Sequence, residues 1–353
     1  MDPMQKKNKT PIKLFVLAFA VIAAVTVYQN LSRQKIISLQ VKDNKGTSFL
    51  ETAGDRLVCI FQDGQVCLWD WNHPHTKQGE FRASPQAMIV DPGRMAAVNP
   101  AGKKQLTFYS LPEGVKQKEF SVGWEDQEVW PRISFDKSAI AVIRKNPTDS
   151  SGRSLYEFLT LDLANEITGQ PVSLEITDKT EVLVDFAVSS EQVLVAVGSR
   201  SKTGRIAAVN LQTGSLLWDR VFEGTKEFCS VIVSPDNRYL LAGNRDGLLY
   251  KISTAEGRIE KQIALLEPGE TRPVTNDYSV LNLAFSPDGQ YYVATINPPA
   301  YVLEAGIDRL IHTFAPADKL VSKIAFSPDN RHVASSDIRA GYPIKIWPLP
   351  KEE

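Results

Sequence analysis

One short phrase recurs along this chain and constrains its fold more than any other feature. VIVSPDNRYLLAG begins at Val231, LNLAFSPDGQYYVA at Leu281 and IAFSPDNRHVA at Ile324. In each, an apolar run leads into Ser-Pro-Asp-Gly/Asn and a second apolar run follows. Proline presets φ, glycine or asparagine accepts a left-handed backbone, and aspartate can accept local N–H bonds, so the phrase reads as a tight turn between two strands. Weaker copies have their anchor residue at Ser189 (VSSEQVLVAVG), Ser134 (ISFDKSAIAVI), Asp91 (IVDPGRMAAV) and Thr52 (LETAGDRLVCIF). From Thr52 to Ser327 the seven anchors lie 39, 43, 55, 45, 52 and 41 residues apart.

Each unit continues in the same way. After the second strand a turn such as Asp63-Gly64 or Asp246-Gly247 leads into an alternating third strand (QVCLWDW, LLYKIS, IKIWPL). Turns such as Thr213-Gly214 and Glu256-Gly257 open a fourth. Four-stranded antiparallel units repeating at roughly 40–45 residues predict an all-β fold, a seven-bladed β-propeller of four-stranded antiparallel blades. The last unit stops after three strands at IKIWPLPKEE, and residues 35–41 (KIISLQV) are expected to supply its fourth, leaving no open sheet edge.

Gln65-Val66-Cys67-Leu68-Trp69-Asp70 after Asp63-Gly64, and Ile344-Lys345-Ile346-Trp347 near the end, resemble WD40 repeats. On the period, the resemblance covers about 310 residues. The Gly-His dipeptide of that family is absent. Phe285-Ser286-Pro287-Asp288-Gly289 is also similar to repeats of TolB-type periplasmic propellers. VNLQTGSLLW, residues 209–218, is similar to the Trp-docking segment of quinoprotein propellers and of outer-membrane assembly lipoproteins with that fold.

Before the repeats, Lys6, Lys7, Lys9 and Lys13 precede an apolar run. Taken over residues 12–28 it makes a helix of roughly 25 Å, close to the short limit for a membrane span. The expected organisation is a cytoplasmic tail at 1–11, a transmembrane signal-anchor helix at 12–28 and a propeller at 29–353. A cleaved signal peptide is the rival reading of the same segment. The lysine cluster places the N-terminus in the cytoplasm and the propeller outside, in the periplasm if the cell is bacterial.

A formal net charge of -1 argues against a nucleic-acid partner. Counting outward from Asp63-Gly64 sets Cys59 opposite position 68, which offsets it from Cys67 and leaves both as small buried apolar residues. His73-Pro74-His75 lacks further metal ligands, and no nucleophile elbow, phosphate loop or CxxC occurs. No cofactor and no catalysis are therefore expected. Trp69, Trp218 and Trp347 read as packing between blades, at matching strand positions.

Two sets of connections remain short, and the opposite face takes the insertions, at 146–154, 199–205, 297–300 and 337–342 in hairpins and at 121–131 and 267–279 in crossings. Loops on a rigid scaffold carry function. The candidate partner-binding face comprises Trp124, Trp130, Arg144, Lys145, Arg200, Lys202, Arg205, Arg245 and Arg339. The two tryptophans read equally as hot spots or as residues packed on the neighbouring blade. The expected function is a membrane-tethered, non-catalytic scaffold or assembly factor that binds protein partners. The alternative is a small-ligand sensor or enzyme using the central channel, lactonase-like or quinoprotein-like.

Overall fold

The computed structural model describes residues 36–350, apart from 42–44, 100–103, 124–127, 139, 146–153, 162–171, 177–180, 190–192, 201, 266–278, 297–298 and 315–320. The expected tail and membrane segment lie outside the described residues. No helix among the described residues is long and apolar enough to cross a membrane.

The chain folds into four-stranded antiparallel sheets arranged as a β-propeller. Six blades are each made of four consecutive strands, called a to d in chain order. Their a strands are Thr47–Ala53, Ala87–Asp91, Glu128–Ile133, Glu181–Val188, Phe228–Val233 and Val280–Phe285, for blades 1 to 6. A further sheet is composite: Lys323–Phe326, His332–Ser336 and Ile344–Pro348 take Ile37–Leu39 as their d strand. Ile37 pairs with Ile346 and Leu39 with Ile344, so the two ends of the chain share one sheet. The a strands touch in chain order, and that of the composite sheet touches both blade 6 and blade 1, which closes the ring.

Packing explains the sequence pattern. Each of seven hydrophobic clusters lies between two neighbouring sheets. A sheet inside the ring is covered on both faces, so its middle strands need no polar side and read as continuous apolar runs. Leu57 to Phe61, in strand b of blade 1, are all at most 1 % exposed. The d strands form the outer wall and are largely exposed, as in Ile259–Ala264. Trp69, Trp218 and Trp347 are buried in three different seams. Their strand positions do not all match: Trp69 and Trp347 lie on c strands, whereas Trp218 lies on the d strand Leu216–Lys226. Trp218 Nε1 donates to the Thr254 carbonyl, 2.8 Å away in the next blade.

The recurring turn has one construction. In Ser234, Ser286 and Ser327 the hydroxyl donates to the aspartate two residues on, at 2.6 Å in each case. Each serine oxygen also accepts the N–H of the residue five positions on, Tyr239, Tyr291 or His332. Asn237, Gly289 and Asn330 take the positive φ that closes the turn. Ser134 repeats the motif with Asp136, and there Lys137 carries the positive φ. The weakest copies depart from it. Thr52 lies inside its strand, its hydroxyl donates to the Phe326 carbonyl, and the turn falls at Gly54-Asp55.

The Asp63-Gly64 hairpin corrects the expected cysteine offset. Ile60 pairs with Val66 and Cys59 with Cys67, so the loop holds three residues and the thiols are directly opposed. Gly64, at φ +84°, supplies the extra position. Both thiols are free and buried. Burial pushes Cys59 far above the usual thiol range and Cys67 up to about 11, so neither is a ready thiolate.

Candidate functional site

Antiparallel alternation divides the connections between two faces. The a–b and c–d turns lie on one, called the turn face. The b–c hairpins and the crossings between sheets lie on the other, called the connection face. Ile37–Leu39 runs antiparallel to Ile344–Pro348, with Ile37 at the turn-face end. The chain therefore reaches the ring from the turn face.

Most of the basic residues expected on the connection face are held by carboxylates. Arg144 Nε donates to Glu157 at 2.9 Å, and Arg245 Nε donates to Glu227 at 2.8 Å. Arg205 makes a two-pronged contact with Asp219, at 3.0 and 2.6 Å. Arg339 does the same with Asp337 and lies 4.3 Å from the Tyr342 ring centroid. Lys145 Nζ is 6.0 Å from the Tyr156 centroid. Lys202 is exposed, at φ +68° in its turn. Arg200 ends strand b of blade 4.

Two expectations here are corrected. Trp130 is not on a crossing loop. It lies in the a strand Glu128–Ile133, opposite Ile143, and packs into the seam between blades 3 and 4. Residues 199–205 are not an inserted loop either, because strands b and c of blade 4 pair out to Arg200 and Thr203. The extra residues lengthen the strands: b and c of blade 4 have 8 residues each and d has 11, against 6 in each of b, c and d of blade 5. Trp124 lies outside the described residues.

The turn face differs in what it exposes. Eleven large apolar side chains are exposed among the described residues. Seven of them, Ile36, Val115, Leu216, Leu217, Ile259, Ile307 and Leu310, sit on c–d turns or at the start of d strands, on the rim of this face. Single exposed apolar residues are ordinary, but here they recur at one end of the d strands of several blades.

The a strands enclose a central channel with a cavity of about 630 Å³. Its wall is mainly apolar but holds five charged residues: Glu51, Arg132, Lys137, Asp185 and Lys323. Glu51 accepts from Lys137 Nζ at 2.5 Å and from the Ile89 N–H at 3.4 Å. Asp185 accepts from Arg132 at 2.9 Å and from the Val231 N–H at 3.1 Å. The Arg132 guanidinium also lies 5.0 Å from the Phe186 ring centroid. None of these five was singled out from sequence. The signal was there: Arg132 stands two residues before its anchor serine, and Asp185 and Lys323 stand four before theirs, each interrupting an apolar strand. Among the described residues no three His, Cys, Asp or Glu side chains gather as metal ligands.

The fold and the geometry of its two faces define the class of protein, a β-propeller. Compared with models of known protein families and with curated proteins, the sequence matches none.

Proposed function

We propose that this protein is a membrane-tethered, non-catalytic propeller of WD40-like type that binds a protein partner as a scaffold or assembly factor. The observation that carries the reading is the turn face. The chain comes in there at Ile36, a few residues after the apolar run at 12–28, and the exposed apolar rim is on the same side. Only about eight residues separate the end of that run from the ring, a reach of at most roughly 28 Å. The turn face then rests against the headgroups, with its apolar side chains at the interface. The connection face points away from the bilayer, outside the cytoplasm and into the periplasm in a bacterium.

The partner docks on that outward face. Blade 4 presents its long hairpin there with Lys202 at the tip, and the composite sheet, which is not its neighbour in the ring, presents Arg339 and Ile338 on the same face. The ion-paired arginines are already oriented by their carboxylates, which lowers the entropy cost of using them in a contact. Full-length protein extracted in detergent tests this. A Lys202→Glu/Arg339→Glu pair should lose the proteins captured by the wild type, whereas Leu216→Ser/Leu310→Ser should keep them. Equal capture by the first pair and the wild type sinks the assignment of this face.

A further inference from the structure

We propose that the central channel binds a small organic carboxylate, held by Lys323 and the unused N–H donors of Arg132. This goes beyond partner docking and does not depend on it.

The charge balance of the channel carries the argument. Glu51 and Asp185 are each answered by one cation and one backbone N–H. That uses Lys137 and Arg132 and leaves Lys323 over, so the five charges sum to one positive. Among the described residues the Lys323 ammonium has no hydrogen-bond partner and no carboxylate within ion-pairing distance, while its backbone pairs with Ser336 in the sheet. Its strand and that of Asp185 are not neighbours in the ring, so it approaches the Arg132–Asp185 pair from another side of the channel. Burial, reinforced by the Arg132 guanidinium, pushes the Lys323 ammonium below the usual lysine range, and Asp185 opposes this. Lys323 is half-buried, and a partly desolvated ammonium without a counter-ion carries a cost that an anion beside it lowers.

Arg132 has donors to spare. It spends one N–H on the Pro131 carbonyl and one on Asp185, out of the five that a guanidinium carries. The two cations thus line one cavity whose charged residues lack one negative charge. The rest of the wall selects the body of the ligand: Phe49, Ile133, Phe135, Leu283 and Phe285 line the same cavity. A volume of this size suits a small organic molecule, with an apolar body and one anionic group. A monocarboxylate balances one unpaired charge, whereas a phosphate ion at neutral pH brings more charge and no apolar body.

Thermal melting of the purified full chain, with sodium benzoate, benzyl alcohol or sodium phosphate at matched ionic strength, tests the proposal. Benzoate at ten times its Kd should raise Tm by about 2 °C, and benzyl alcohol should not. Lys323→Met should abolish the benzoate shift. It should also melt no lower than wild type without ligand, because it removes an unpaired, partly desolvated charge. If it does melt lower, Lys323→Arg, which keeps the cation, must retain the shift. The proposal is overturned by no benzoate shift in the wild type, by an equal shift in Lys323→Met, by a shift with phosphate alone, or by loss of the shift in Lys323→Arg.

Discussion

The two faces of this ring solve the same problem, joining neighbouring strands, in different ways. On the turn face four a–b turns share one device, a buried serine donating to an aspartate two residues on. Towards the connection face, among the described residues, arginines on the strands are answered by carboxylates of the neighbouring strand, as in Arg144–Glu157 and Arg205–Asp219. The difference teaches where stability and adaptability are kept. A buried hydrogen-bonded turn is costly to alter. An ion pair near the surface is cheaper to alter.

The largest effect is therefore expected on the turn face. Ser286→Ala leaves the Asp288 carboxylate without its hydroxyl and the Tyr291 N–H without its acceptor, beside a residue with no exposure. The expected cost is about 2 kcal/mol by urea unfolding. Arg205→Ala, on the other face, removes a two-pronged contact whose aspartate is 30 % exposed. After solvent screening its cost is about 1 kcal/mol or less. A larger loss for Arg205→Ala than for Ser286→Ala breaks the comparison.

Acid sharpens it. Burial works against ionisation of Asp136, Asp236 and Asp329, but the serine hydroxyls and backbone N–H groups outweigh it and hold all three below the usual carboxylate value of 3.8. A depressed folded pKa adds stability that is complete above the unfolded value and is lost as pH falls through the folded one. The wild type should weaken progressively below about pH 4. Replacing the three with asparagine should flatten that slope while costing stability at neutral pH. An unchanged slope shows that the turns do not carry the acid sensitivity. Smallest of all, Lys202→Glu should change stability by less than about 0.5 kcal/mol, since the side chain is exposed at a hairpin tip.

The sequence made the repeat legible because its turn is chemically demanding: serine, aspartate and a residue at positive φ must recur at fixed offsets. The same logic fails where the turn chemistry changes. Thr52 occupies the anchor position of its repeat, but Gly54-Asp55 makes a two-residue turn and needs no buried hydroxyl. The cysteine register was missed by one because a three-residue loop and a two-residue loop can share the same Asp-Gly pair. The candidate face was partly legible. Sequence grouped Arg144, Arg205 and Arg245 on one side, but their partners Glu157, Asp219 and Glu227 lie 13, 14 and 18 residues away, so the pairing is a product of strand register. Trp130 looked like a loop residue because the proline after it obscures a strand. The channel charges went unread because they meet only when distant a strands close the ring.

The central claim is that the turn face lies on a bilayer and the connection face looks away from it. Single cysteines in place of Leu217 and Lys202, each in a background with Cys229 replaced by serine and labelled with an environment-sensitive dye, test it most directly. The full chain would be reconstituted in vesicles containing brominated lipid. The account predicts strong quenching of the dye at position 217 and none at 202. Equal quenching at both positions, or quenching at 202 alone, contradicts it.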